Sequence, residues 1–169
     1  GSPGMAIGKA VVIDLKRAGV IRRHIKRSAA DAELARFDAA VKVTAKGLRD
    51  VAAQVASNVA RAEASILEAY VMMVEDELLR REVERYILAD LLCAEWAVDR
   101  AAKRMAEQLR GAGDPYLAER SHDIEFIGER IIRGFSGRQR ALSVPELHEP
   151  SILVARDLSP AETAGLNRD

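Results

Sequence analysis

The stretches SPGMAIGKAVVID (Ser2–Asp14) and SILVARDLS (Ser151–Ser159) stand at opposite ends of the chain, and each reads as a short strand. A lone strand leaves backbone donors and acceptors unpaired on both edges, so neither piece is stable by itself. The economical solution is that the two ends meet in one small α/β unit. The long segment between them has helical periodicity, which makes it an insertion standing out from that unit. The expected fold is therefore mainly α: an antiparallel four-helix bundle of two helical hairpins, inserted in an incomplete α/β domain contributed by the two chain ends. The α/β part breaks off at Asp169 before it is complete, so the chain reads as a fragment.

Working inward, Lys16–Arg27 is basic and irregular, with Gly19 as a breaker and a possible second short strand over Val20–Ile25. Ser28 is a candidate N-cap, with Asp31 three residues on. From there Leu34, Phe37, Val41, Ala45, Leu48, Ala52, Val55 and Val59 recur at alternating three- and four-residue steps, the stripe of a long helix packed against neighbours. A second helix runs from about Glu63 to Leu88, with Leu67, Val71, Val74 and Leu78 in one row and Ile66, Tyr70 and Met73 in another. The period slips at Asp90–Cys93, where Cys93 occupies a position that a capping residue would ordinarily fill. A third helix spans Ala94 to Leu109, with Val98, Ala101, Met105 and Leu109 inward. GAGDP (Gly111–Pro115) stops it and starts a fourth, with Asp114 as cap and Pro115 in the first turn. Leu117, Ile124, Ile127, Ile131 and Phe135 line that last helix. The resulting division is residues 1–27 for the first α/β segment, 28–137 for the helical domain, 138–150 for a linker, and 151–169 for the α/β continuation, where Ser159-Pro160 opens a short helix.

Composition narrows the function. Lys plus Arg and Asp plus Glu are equal at 26 each, so no global field draws the chain to nucleic acid or to an anionic membrane. The basic stretch Arg17–Arg27 lacks the interleaved aromatics of a nucleic-acid surface. One cysteine, Cys93, excludes an internal disulfide and a cysteine-rich zinc site, and it fits a reducing cytoplasm. No apolar run approaches the roughly 20 residues of a membrane span. The histidines are His24, His122 and His148, and none has partners at metal-ligand spacing or lies in a nucleophile motif.

Met72 and Met73 are flanked by Glu68, Glu75, Asp76 and Glu77. A methionine pair at helical spacing is often core, and an acid run is by default a solvated face. Together they also describe a pliable apolar patch that attracts a basic partner.

Four segments, SPGMAIGKAVV (Ser2–Val12), ILEAYVMMVEDELL (Ile66–Leu79), DPYLAERSHDIEFIGERIIR (Asp114–Arg133) and ILVARDLSPAETAGLN (Ile152–Asn167), resemble in order and spacing the N-terminal region of enzyme I of the phosphotransferase system. These are the phosphoenolpyruvate-protein phosphotransferases, nitrogen-related paralogues included. The resemblance implies an enzyme that moves a phosphoryl group from phosphoenolpyruvate to a histidine and on to the carrier HPr or a paralogue. It also implies a helical region that docks the carrier, a phosphorylated histidine in a GGRTSH-type motif beyond Asp169, and a separate Mg2+-dependent site for phosphoenolpyruvate. The parent would be a cytoplasmic homodimer, and this piece a monomer that is inactive alone. Carried over position by position, the partner contacts fall on Glu68, Tyr70, Met72, Met73, Asp76, Leu79, Leu109, Leu117 and Arg120. Arg120 has the alternative of simply pairing with Glu119 or Asp123. Arg61, Ala62 and Leu78 stand where such enzymes carry acids, which weakens the expected pull on a basic carrier. The competing reading is a stand-alone helical interaction module without catalysis.

Overall fold

Runs of β-branched and aliphatic residues let the two end segments pair, and the computed structural model of the chain, which describes residues 5, 7–13, 19–57, 61–136 and 151–155, shows that they do. β1 (Lys9–Ile13) and β2 (Ser151–Ala155) lie parallel, in the register Lys9–Ser151, Val11–Leu153 and Ile13–Ala155. Parallel neighbours need a long crossover, and here that crossover contains every helix described. The linker at 138–150, His148, and the short helix expected after Ser159 lie outside the described residues.

Among the described residues, five α-helices follow a 3-10 turn at Arg27–Ala29: α1 (Ala30–Ser57), α2 (Arg61–Val74), α3 (Glu77–Leu88), α4 (Ala94–Gly111) and α5 (Pro115–Gly134). The expected second helix is two, broken at Glu75–Asp76. Ser28 caps nothing; it sits inside the 3-10 turn, whose preceding residue Lys26 makes no side-chain cap bond. The strand expected over Val20–Ile25 is reduced to a single antiparallel bridge between His24 and Leu92. At the last turn, by contrast, Asp114 accepts from the Tyr116 amide at 2.8 Å with Pro115 in the first turn, as the sequence indicates.

One apolar cluster joins the helices. Phe37, Leu48, Leu67, Val83, Ile87, Val98, Ile127 and Ile131 are all essentially inaccessible. The α1 stripe is buried as its spacing requires, at Phe37, Ala45, Leu48 and Ala52. Small residues bring α5 close to its neighbours. A Cβ on Gly128 would lie 2.6 Å from Ala102 Cβ, and one on Gly134 would lie 2.9 Å from the Ala40 carbonyl oxygen.

The missing cap at α4 is supplied from elsewhere in the chain. Cys93 offers no side-chain cap bond. Glu33, two helices away in sequence, accepts from the Ala94 amide at 2.8 Å through Oε2. The same carboxylate takes Arg23 Nη2 at 2.8 Å and Arg36 Nη1 at 2.6 Å, and Arg36 goes on to Glu95 while its guanidinium lies over the Phe135 ring. Glu33 and Glu95 are each only 5% exposed. A buried carboxylate is tolerable only when its lone pairs are filled by donors, which is what this network provides. Alongside it, segment 21–25 is stitched to the α3–α4 turn. Ile25 N donates to Leu91 O at 2.8 Å and Cys93 N to Arg23 O at 3.0 Å, while Leu91 takes a positive φ of 52° to make the bend.

Glu33→Gln is expected to lower unfolding free energy by about 3 kcal/mol, because it leaves Arg36 and Arg23 short of charge around a buried amide; equilibrium urea unfolding reads this directly. Gly128→Ala is expected to cost about 1–3 kcal/mol by overpacking, and adding Ala102→Gly to restore part of it. If the double variant is no more stable than the single one, the Gly128–Ala102 approach does not set the α4–α5 spacing.

Candidate docking surface

The break between α2 and α3 organises the surface the sequence singled out. Asp76 has extended dihedrals, and its Oδ1 accepts from Leu78 N at 2.7 Å and Leu79 N at 3.2 Å, so it is the N-cap of α3. Aspartate is among the best residues for that position. The break shifts the helical phase by one residue. The row Leu67–Val71–Val74 is buried as expected, but it continues at Leu79, which is 3% exposed, while Leu78 is turned out at 63%.

That shift sorts the nine expected contact residues. Met72 is 74% exposed, and Glu68, one turn earlier on the same face, is exposed too. Met73 is half-buried and packs on the core, so the methionine pair divides into one outward and one inward residue. Tyr70 and Leu79 are core residues, each 3% exposed, and offer a partner no direct area; for these two the reading as contacts is corrected. Asp76 is exposed, but its oxygen is committed to the cap. Leu109 and Leu117 are half-buried on either side of the α4–α5 turn. Arg120 is exposed.

Of the acids, Glu75 is held by Arg49 of α1 at 2.6 Å and Glu77 by Arg81 at 3.3 Å. Glu68 makes no ion pair among the described residues. The uncompensated negative charge is therefore narrower than the EDE run suggests.

Arg120 does pair with a neighbouring carboxylate, and the arrangement reaches further. Asp123 accepts from Arg120 Nη1 at 3.0 Å on one oxygen and from the Tyr70 hydroxyl at 2.9 Å on the other. Arg120 Nη2 also reaches the Tyr116 hydroxyl at 3.2 Å, with its guanidinium over that ring. Tyr70 in turn packs on Phe126 with ring centroids 5.1 Å apart. A buried phenol on α2 and an exposed guanidinium on α5 thus share one carboxylate, which fixes how Arg120 is presented. Tyr70 matters here as the anchor of that chain. Sequence reading named Asp123 as a partner of Arg120 but missed its second bond, to Tyr70, and missed Leu78 and Tyr116 as exposed residues. Tyr116 lies one turn before Arg120, a spacing that could have signalled it.

Burial pushes the Tyr70 phenol well above its ordinary range, and the hydrogen bond to Asp123 and its charge push the same way against Arg120. Among the described residues no group of three or more His, Cys, Asp or Glu could hold a metal ion. His24 lies edge-on to Trp96 at 5.1 Å, and His122 is exposed on α5. No helix among the described residues is long and apolar enough to cross a membrane.

A helical body lies between two parallel end strands, with an exposed methionine beside acids on its α2–α3 face. The family model for the N-terminal part of PEP-utilising enzymes matches residues 1–120, and the chain belongs to that family. It is 32% identical over 166 residues to the phosphoenolpyruvate-protein phosphotransferase of Haemophilus influenzae and 28% identical over 171 residues to that of Bacillus subtilis. These alignments take in 98% and 99% of this chain but 29% of each relative. A solution structure of an Enzyme I protein superposes with a TM-score of 0.81 at 32% identity, over 96% of this chain and 65% of that one. The N-terminal domain of a nitrogen Enzyme 1 superposes with a TM-score of 0.68 at 26% identity, over 99% and 68%.

Stability should carry the signature of Tyr70 at high pH. Its folded pKa is raised above the ordinary 10.0, so its contribution is present in full below pH 10.0 and lost as pH rises toward the folded value. Unfolding free energy is expected to fall with pH above about 10 in the parent chain and less steeply in Tyr70→Phe. Equal slopes in the two proteins would show that the buried phenol does not set this dependence.

Proposed function

We propose that this chain is the carrier-docking part of a phosphoenolpyruvate-protein phosphotransferase. It seats HPr or a paralogous phosphocarrier so that a histidine elsewhere in the enzyme can pass on its phosphoryl group. In this reading the parts are the α/β segments 1–27 and 151–169, the helical docking domain 28–137, arranged as two antiparallel hairpins, and a linker at 138–150. Mg2+ serves the phosphoenolpyruvate site of the parent, which acts as a cytoplasmic homodimer.

The observation that carries the proposal is the exposed Met72 and Leu78, set on either side of the α2–α3 break with Glu68 on the Met72 face. Single exposed apolar residues are ordinary on any surface. Two large ones flanking a helix break, beside an acid with no ion pair among the described residues, suit a partner with an apolar face and a basic rim. The methionine adapts its shape to the carrier. Glu68 speeds encounter rather than adding much affinity, because exposed charges are largely screened. Arg120, held by Asp123, adds a directed donor at the edge. Tyr70 and Leu79 support this surface from beneath, and Leu109 and Leu117 border it at the α4–α5 turn.

Titrating isotope-labelled protein with HPr-type carriers, from both the sugar-uptake and the nitrogen-related branches, tests the reading. Amide shifts are expected to concentrate between Glu68 and Leu79 and around Arg120. Met72→Ala is expected to weaken the complex about tenfold. Glu68→Lys is expected to weaken it several-fold at low salt and much less at high salt, with the loss in the association rate. Should no carrier shift any α2 resonance, the chain is an interaction module with a different partner.

A further inference from the structure

On the seam between α3 and α4, away from the surface just described, three arginines gather around one tyrosine. Tyr86 is 4% exposed. Arg85 Cζ sits 4.1 Å from the centre of its ring and Arg100 Cζ sits 5.5 Å from it. Arg104, one turn beyond Arg100 on the same face of α4, closes the group. The carboxylate that answers them is Glu82, whose Oε2 is 3.2 Å from Arg85 Nη2 and 3.8 Å from Arg104 Nε. Arg100 has no carboxylate partner among the described residues. Three guanidiniums against one carboxylate leave two positive charges at a single place, in a chain whose total charge cancels at 26 against 26. Other arginines on these helices have acids of their own, such as Arg80 with Asp38 and Arg110 with Glu125.

Two further observations show that this excess is directed. Arg85 Nε is buried and has no acceptor. A buried donor without a partner is costly enough that native structures rarely keep one unless a water or an ion completes it. The Tyr86 hydroxyl reports the same field. Burial alone would raise its pKa, yet the nearby Arg104, Arg85 and Arg100 guanidiniums hold it below the ordinary value.

We propose that Arg85, Arg100 and Arg104, arranged around Tyr86, form a binding site for a dianionic phosphate group, either the free ion or a phosphomonoester. Two uncompensated charges match a dianion, whereas a single carboxylate would leave one of them. Planar guanidinium forks suit the paired oxygens of a phosphate. The ring of Tyr86 holds Arg85 and Arg100 in place by their π-stacking, so the site is largely arranged before an anion arrives.

The probes are inorganic phosphate and glycerol phosphate, each titrated into the labelled full chain at an ionic strength held constant with sodium chloride. Saturable amide shifts at residues 85, 86, 100 and 104 are expected. Arg100→Gln and Arg104→Gln, both at exposed positions, are each expected to weaken binding about tenfold, while far-ultraviolet circular dichroism stays that of the parent. Saturation by phosphate alone assigns the site to the free ion, and tighter binding of glycerol phosphate assigns it to a monoester. Shifts no larger than those from chloride, or variants that bind as the parent does, would overturn the proposal.

Discussion

A single buried carboxylate ties the start of α1 to the start of α4. Glu33 leaves the first turn of α1, caps the N-terminus of α4 at Ala94, and takes Arg23 and Arg36 on its remaining lone pairs. Without it the α4 terminus, which Cys93 cannot cap, would present orphan amides inside the protein. Arg36 relays the constraint to Glu95 and, across its face, to Phe135 at the end of α5. Such a cluster is weak as a source of net stability, because desolvation offsets most of the Coulomb attraction. Its effect is to allow one arrangement of α1, α4 and α5 and to penalise others, since any alternative strands a buried charge.

The outward surface is governed by a smaller event of the same kind. Asp76 stops α2 and restarts α3, and the one-residue change of phase decides which leucine is core. Had the helix continued, Leu78 would have followed Val74 into the interior and Leu79 would have faced out. The cap reverses them, and it leaves Met72 and Leu78 both exposed, one on each side of the break. On the other flank Asp123 couples Tyr70 to Arg120, so the presentation of a surface arginine depends on a residue in the core. Both devices are short polar contacts that set the geometry of larger apolar pieces.

Much of this was legible in the chain. The segments Ser2–Asp14 and Ser151–Ser159 announced strands that must meet, and Lys9–Ile13 pairs with Ser151–Ala155. The α1 stripe and the GAGDP stop were equally clear, because apolar period and a Gly–Asp–Pro sequence act locally. The site was legible only in part. Tyr70 and Leu79 were carried over as contacts from the resemblance, and their burial at 3% exposure each depends on packing that a position-by-position match does not carry. The EDE run looked more negative than it is, because Arg49 reaches Glu75 from a helix distant in sequence.

What the sequence determined by itself was where helices begin and end at strong local signals, that the terminal strands belong together, and which family the four motifs resemble. The helix limits follow from backbone chemistry confined to a few neighbouring residues, and the strand pairing from the need of lone strands for a partner. What only the tertiary structure decided was which charges are spent on one another: the carboxylate that caps α4 comes from α1, and three arginines converge on Tyr86 from two helices. Partners separated by tens of residues meet only through packing, and a linear order of side chains carries no distance between them.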